Sequence, residues 1–286
     1  MQFILSLQSK ALEQQYELLL NIPGLTWKPS LNFVKSHPFL QRSQNPSQRK
    51  YVRNMFIDSL ESFNSPLTAP ESFDWTAMEP SCMKIITDTG NCPSYNSAAE
   101  VQALSDLRCI QARDPEYVQY SVQQLVDCEY GCYAGLTGDA WKFMLNSGVP
   151  TESCVPFESK LTGKPKTCST QCKNGSPLIV VKPTKLKKVE GVESQMMKAV
   201  VQGPLSVEFD HYEDLAFYSS GIYTHTYGEW IDRMGAEIVG YGEENGIKFW
   251  KVKIPLGEQF GENGFMKIAK GTGECKIESN GILGVV

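Results

Sequence analysis

This sequence of 286 residues contains neither a long apolar run nor a surplus of basic residues. No stretch approaches the ~20 consecutive apolar residues that a helix needs to cross a bilayer, so we predict no membrane span. The 27 basic residues are outnumbered by 32 acidic ones, which gives a net charge of −5. Nucleic acids and anionic membranes bind basic surfaces, so neither is expected as a partner. The sequence also indicates no cofactor.

The amino terminus shows no evident signal peptide. The apolar patch in residues 1–7 is short, whereas the apolar core of a signal peptide spans ~7–15 residues. Cysteine is absent before residue 82, although the chain contains nine. The first quarter of the chain therefore differs in kind from the rest.

Histidine is scarce, which matters for deciding whether the cysteines bind zinc or form disulfides. Two C-x3-C pairs begin at Cys128 and Cys168, and this spacing lies within the loose range of zinc sites. No histidine lies near either pair, and the remaining cysteines are scattered singly. Four disulfides and one free thiol would use all nine, and disulfides persist in oxidising compartments. The cysteines therefore favour the secretory pathway, in a lysosome-like or extracellular compartment, and we predict no metal site.

The hydrophobic pattern divides the chain into a helical first half and a strand-rich second half. Apolar residues at helical spacing predict helices at 1–20, 96–112, 121–126, 139–145 and 192–201. Short β-branched or aromatic runs predict strands at 178–182, 205–209, 237–241, 249–254 and 264–268. Residues 36–70 are rich in Ser, Pro, Asn and Gln, which is typical of extended or loop structure. This order indicates an α+β fold of two lobes, and ligands often bind between lobes.

Several short motifs occur in a characteristic order. They are Ser72-Phe-Asp-Trp75, Asp88-Thr-Gly-Asn-Cys92, Gln124-Leu-Val-Asp-Cys128, Gly131-Cys-Tyr-Ala-Gly135, Gly203-Pro204, Gly240-Tyr-Gly242 and Gly261-Glu-Asn-Gly-Phe265. In order and spacing they resemble the papain family of cysteine peptidases. Within that family the chain looks most like cathepsin B, whose segments are similar to Asp106-Leu-Arg-Cys-Ile110 and Cys275-Lys-Ile-Glu-Ser279.

The resemblance implies a domain organisation. Residues 27–33, Trp-Lys-Pro-Ser-Leu-Asn-Phe, resemble the short cathepsin B propeptide. We therefore expect a propeptide-like segment in residues 1–67. Residues 68–286 are expected to form a papain-like α+β peptidase domain, with a helical left lobe and a β-rich right lobe.

The resemblance also implies how the cysteines pair, which composition alone cannot give because eight cysteines allow 105 pairings. Cys275 is expected to stay single. The four implied disulfides are Cys82–Cys109, Cys92–Cys132, Cys128–Cys168 and Cys154–Cys172.

The positions that carry catalytic groups in the family hold other residues here. The resemblance places the nucleophilic cysteine at Tyr95, the imidazole at Met234 and the orienting asparagine at Ile254. Thr89 stands where the family has the glutamine that donates to the oxyanion. Such a peptidase needs a thiolate beside an imidazole, and a phenol with a pKa of ~10, a thioether and an alkyl chain cannot replace them.

We therefore expect a catalytically inactive homologue, a pseudoprotease with a binding, regulatory or structural role. Fold analogy alone would give the alternative, an active papain-family cysteine endopeptidase. Met234, Ile254 and Leu256 are expected to fill the cleft with apolar bulk. Tyr95 would block its floor, and the buried phenol would need a hydrogen-bond partner.

Part of a peptide-binding apparatus is expected to persist. The resemblance matches Gly135 to a glycine whose backbone pairs with a substrate strand, which is the strand-addition mode of recognition. Tyr133 and Ala134 depart from the Asn-Gly usual before it. The loop from Cys154 to Cys168 is short and has no His-His pair, so the occluding loop of cathepsin B is expected to be absent. The expected partner is a peptide or protein, including the chain's own propeptide-like segment in the cleft or a larger assembly.

Overall fold

The structure is a computed structural model that describes residues 2–37, 55–133 and 135–286. Within these ranges the helices are α1 Gln2–Leu20, α2 Leu31–Ser36, α3 Met55–Ser59, α4 Trp75–Met78, α5 Pro80–Met83, α6 Tyr95–Ile110, α7 Val122–Leu125, α8 Asp139–Asn146, α9 Ser159–Thr162 and α10 Glu193–Val200. The strands are β1 Trp27–Pro29, β2 Glu61–Ser62, β3 Phe73–Asp74, β4 Lys185–Glu190, β5 Leu205–Tyr212, β6 Tyr218–Tyr223, β7 Trp230–Glu244, β8 Ile247–Lys253, β9 Phe265–Ala269 and β10 Asn280–Val285. None of these helices is both long and apolar enough to cross a membrane.

The helical lobe is organised around α6, whose residues 95–107 are all buried. Glu100 lies within this helix and accepts hydrogen bonds from the backbone N–H groups of Gly138 and Trp141. These are donors at the start of α8 that have no partner within their own helix. The Ser121 hydroxyl caps α7 by accepting from the Gln124 N–H at 3.1 Å, in agreement with the predicted start of that helix.

The strand lobe is one sheet with the order β1-β6-β9-β8-β7-β5-β10-β4-β2 in the described parts of the chain. The short β3 pairs with β7 off this path. All neighbours are antiparallel except β6 with β9 and β2 with β4. The sheet packs against α6 mainly through β7. The helical first half and the strand-rich second half thus pack together along α6 and β7. This confirms the predicted α+β fold.

The first 67 residues, hereafter the N-terminal segment, supply both edge strands of the described sheet. At one edge β1 pairs with β6, so that Trp27 lies opposite Gly221. At the other edge β2 pairs with β4 and the Phe63 N–H donates to the Lys188 carbonyl at 2.6 Å. The segment also contributes buried side chains to the core of the strand lobe, namely Leu12, Leu19, Trp27, Phe33, Val34 and Phe63.

Two local predictions were wrong. Residues 178–182 form no strand; the strand lies at Lys185–Glu190, and Val181 makes only an isolated bridge with Val149. Ile179 is 83% exposed, so its β-branched side chain packs on no sheet. Residues 36–70 were predicted as extended or loop, yet α3 lies within them because Ile57 is buried in the helical lobe; the extended β2 agrees with the prediction. Residues 38–54 lie outside the described residues.

Four disulfides join eight of the nine cysteines. They link the same pairs that the resemblance implies, and all four lie within residues 82–172. The thiol of Cys275 is free and buried. A disulfide stabilises a fold by ~2–4 kcal/mol, mainly by restricting the unfolded chain. The helical lobe, which contains these links, is therefore the part most dependent on oxidising conditions.

Candidate functional site

Tyr95 begins α6 at the junction of the two lobes. Its side chain is 1% exposed and belongs to the hydrophobic cluster of the strand lobe. Burial, and next the negative charge of Asp232, raise the pKa of the Tyr95 phenol well above its ordinary value, so the phenol stays protonated. No hydrogen bond to its hydroxyl is found among the described residues, and this oxygen is not one of the fully buried polar atoms that lack a partner. The expectation that the phenol needs such a partner stays a prediction.

Met234, Ile254 and Leu256 belong to the same cluster as Tyr95 and are at most 3% exposed. Met234 lies on β7 opposite Phe209 of β5. Ile254 follows β8, and its N–H donates to the Gly264 carbonyl at 3.0 Å. The residues at the predicted base and orienting positions therefore lie in the same apolar cluster as Tyr95, but neither side chain can carry or accept a proton.

Thr89 is fully buried, and its polar groups are already used. Its hydroxyl donates to the Pro255 carbonyl at 3.2 Å, and its N–H lies 3.3 Å from the same oxygen. Both bonds tie the loop before α6 to the loop after β8. The Thr89 hydroxyl is thus a structural donor between the lobes and is not available to a developing oxyanion.

Gly135, the predicted peptide-binding glycine, lies beside the first turn of α6. Its φ of +74° is in the region that favours glycine, and a Cβ there would lie 3.9 Å from the Asn96 Cβ. Ala134, which precedes it, lies outside the described residues. Gly235 of β7 is closer still, since a Cβ built on it would approach the Asn96 Cα to 2.5 Å. The backbones of α6 and β7 therefore almost touch at this point.

Two histidines lie beside aspartates. His211 is 1% exposed, and its Nδ1 lies 2.9 Å from Asp232. The buried Nε2 of His211 has no hydrogen-bond partner among the described residues. His225 is partly exposed and lies 3.2 Å from Asp214; this hydrogen bond is the main reason its pKa is raised. His211 therefore has a structural role, buried beside Asp232.

Sequence reasoning missed a charged pair at the junction. Glu208 of β5 and Arg233 of β7 are 2.5 Å apart, on the faces of their strands that are turned to α6. Charged residues within a strand usually indicate a solvent face. The alternation of buried and polar residues along β5 and β7 was the only signal that could have pointed to them. Among the described residues, no group of three or more His, Cys, Asp or Glu is arranged to hold a metal ion.

Comparison with known proteins gives one consistent result. A model of the papain family of cysteine proteases matches residues 69–285. Cathepsin B-like CP2 of Giardia intestinalis is 34% identical over 229 residues, which is 78% of this chain and 76% of that protein. Cathepsin B-like CP3 of the same organism is 36% identical over 226 residues, 77% of this chain and 76% of the relative.

Solved structures show the same fold. ProCathepsin B S9 from Trypanosoma congolense superposes with a TM-score of 0.83, with 95% of this chain and 97% of that one covered at 22% identity. Digestive procathepsin L 3 of Tenebrio molitor larval midgut gives a TM-score of 0.76, with 100% and 91% covered at 22% identity. At such identities the likeness establishes the papain-like α+β fold, which was predicted from the sequence.

Proposed function

The chain belongs to the papain family of cysteine proteases and is cathepsin B-like, and we propose that it is a catalytically inactive member with a non-catalytic binding or regulatory role. The observation that supports this is the pairing of Tyr95 with Met234 in one apolar cluster. These residues stand where the resemblance places the nucleophile and its base. The disulfides and the likeness to cathepsins indicate a secretory or lysosomal compartment.

The chemistry of these side chains supports inactivity. Cysteine peptidases attack with a thiolate that an imidazole keeps ionised, whereas the pKa of the Tyr95 phenol is raised by burial. In a related triad system, loss of the triad leaves only ~10³–10⁴-fold catalysis over water. Loss of an oxyanion donor costs a further ~10²–10³, and the Thr89 hydroxyl is bonded to Pro255. Peptide hydrolysis by this site would be negligible.

Apolar filling of the junction explains how the fold tolerates these residues. Met234 and Ile254 are fully buried and Leu256 is 3% exposed. An unpaired imidazole or amide there would lose its hydration without a compensating hydrogen bond. Side chains that pack are therefore more stabilising than orphaned catalytic groups, and the site is better described as core than as a reaction centre.

The N-terminal segment supports a second part of the proposal, that it stays in place. The segment covers both edges of the described sheet, and its removal would expose the unpaired backbone of β6 and β4. It would also uncover the pockets filled by Trp27 and Phe63, which are 2% and 6% exposed. Intact mass of the protein from its native source tests retention: a species of full length is expected, and one beginning near residue 68 would contradict it.

The inactive-site proposal is tested by restoring the family residues. We would compare the wild type with Tyr95→Cys, Met234→His, Ile254→Asn combined in one chain, using an activity-based probe for papain-like proteases. Labelling of the combined variant alone would support both the position of the site and the inactivity of the wild type. If the combined variant is not labelled, the function must lie on another surface. If the wild type is labelled, the alternative of an active endopeptidase would be supported.

A further inference from the structure

We propose that Glu208 acts as an internal carboxylate ligand that closes the groove between the two lobes. One carboxylate oxygen, Oε2, accepts from the Asn96 side-chain amide and from the Thr137 N–H, each at 3.3 Å. The other, Oε1, lies 2.5 Å from the Arg233 guanidinium. Asn96 and Thr137 belong to the helical lobe, whereas Glu208 and Arg233 belong to the strand lobe, so one side chain joins both.

The position of Glu208 is fixed by its surroundings. Its side chain is 18% exposed and that of Arg233 is 22% exposed. The Arg233 Nε also lies 3.4 Å from Asp210, which is 2% exposed and in turn lies 2.6 Å from the Lys276 ammonium. Two cations and two carboxylates therefore alternate along the junction. Lys276 is 64% exposed, so the better-shielded part of this network is Arg233 with Glu208 and Asp210, and charges in a network hold their geometry better than isolated surface pairs.

The two lobes lie close together near Glu208. Gly235 meets the backbone of Asn96 so closely that any side chain there would clash. A Cβ built on Gly135 would lie 3.9 Å from the Asn96 Cβ. A peptide strand that paired with Gly135 would pass Asn96 and meet the Glu208 carboxylate. The lobes are thus held together at the place where the family would accept a chain.

The donors around Glu208 define the ligand class of this site. A guanidinium, a side-chain amide and a backbone N–H converge on a single carboxylate, and charge-assisted bonds of this kind are stronger than neutral ones. An entering peptide could satisfy all three donors only with an acidic side chain or a terminal carboxylate of its own. A small carboxylate should therefore occupy the site once the Glu208 side chain is removed.

The test is chemical rescue of folding, which is independent of whether the chain cleaves peptides. Thermal unfolding of Glu208→Ala is measured in sodium acetate and in sodium chloride of equal ionic strength. In chloride the variant should melt roughly 3–8 °C below the wild type, and acetate should restore part of that loss in a saturable way. Arg233→Met added to Glu208→Ala should abolish the restoration.

The matched control is Glu258→Ala, since Glu258 is exposed and acetate should not affect its melting. An unchanged melting temperature in Glu208→Ala, or an acetate effect equal in the wild type and both alanine variants, would overturn the proposal. Should Glu208→Ala fail to fold, Glu208→Gln keeps an acceptor for Asn96 and Thr137 but loses the charge. That variant should melt below the wild type, and a wild-type melting temperature would equally overturn the proposal.

Discussion

Lys253 and Asp106 form an ion pair whose two side chains are fully buried, one on β8 and the other on α6. The Tyr117 hydroxyl also donates to Asp106 at 2.9 Å. Glu237 of β7 lies beside them, and burial, followed by the charge of Asp106, raises its pKa well above the ordinary value. One lysine and two acidic side chains thus join the two lobes inside the protein.

Lys253→Met should be strongly destabilising. Removal of one partner leaves the Asp106 carboxylate uncompensated beside Glu237, and breaking a buried pair costs about 3–5 kcal/mol. Urea unfolding of the wild type and variant measures the change. The matched control is Lys251→Met on the same strand, because the pair of Lys251 with Asp74 is 25% and 36% exposed and is worth at most ~1 kcal/mol. Equal losses in the two variants would contradict the internal network.

Glu152 should make the protein less stable as the pH rises. Burial raises its pKa to about 7, above the value of 4.5 for an exposed glutamate. The folded state therefore binds this proton more tightly than the unfolded state, and its contribution is complete below pH 4.5 and lost as the pH rises past 7. With about 1.4 kcal/mol per pKa unit, the loss is roughly 3–4 kcal/mol.

Glu152→Gln should lack that part of the pH dependence. Between pH 5 and 8 the free energy of unfolding in urea should therefore fall less for the variant than for the wild type. Glu158 gives the opposite control, because bonds from Lys166 and Lys173 lower its pKa to about 2. Its contribution is present above pH 4.5 and lost in acid, so the difference between Glu158→Gln and the wild type should shrink only below pH 4.5. If the difference in unfolding free energy between Glu152→Gln and the wild type stays constant from pH 5 to 8, the raised pKa of Glu152 would be contradicted.

The free thiol of Cys275 should be unreactive in the folded protein. Burial, and next the Glu274 carboxylate, raise its pKa, and the thiolate is the reactive form of cysteine. Intact mass after iodoacetamide treatment should show almost no alkylation under native conditions and a single adduct in guanidinium. Rapid native alkylation, or more than one adduct in unreduced denatured protein, would contradict the free thiol or the four disulfides.

Trp27→Ala should test whether the N-terminal segment is part of the fold. The Trp27 indole is packed against Tyr218 and Tyr223, with ring centroids 6.2 and 5.4 Å away, and donates to the Thr224 carbonyl at 3.0 Å. Truncation of a buried tryptophan costs about 3–5 kcal/mol. Leu20→Ala, at a side chain that is 50% exposed, should cost less than about 0.5 kcal/mol. Urea unfolding that finds both variants equal to the wild type would mean that the segment is only loosely attached.

The sequence predicts some of these features and not others for physical reasons. Helix α6 is predictable because its apolar residues recur at helical spacing, and strands β5, β7, β8 and β9 because β-branched and aromatic residues cluster there. Strands β6 and β10 were not predicted. The strand expected around Ile179 fails because such residues can also lie on an exposed loop. The disulfide pairs come only from family resemblance, since spacing leaves many pairings open.

The contacts of the charged groups between the lobes could not be predicted from the sequence. Lys253 and Glu208 lie on strands in which a charged residue normally faces solvent, and their partners Asp106 and Asn96 come from a helix far away in the chain. Only the register of the sheet and its packing on α6 bring them together. The Tyr95 position was predictable by resemblance, whereas any partner of its hydroxyl depends on packing that the sequence does not specify.

The most direct measurement of the central claim is peptide turnover by the wild type after the N-terminal segment has been removed with an added protease. Intact mass verifies the removal, and the variant that combines Tyr95→Cys, Met234→His and Ile254→Asn is treated in the same way. The wild type should cleave no fluorogenic peptide and take up no active-site probe. Turnover by the trimmed wild type that an inhibitor of cysteine proteases blocks would contradict the claim that Tyr95 and Met234 have replaced the catalytic groups.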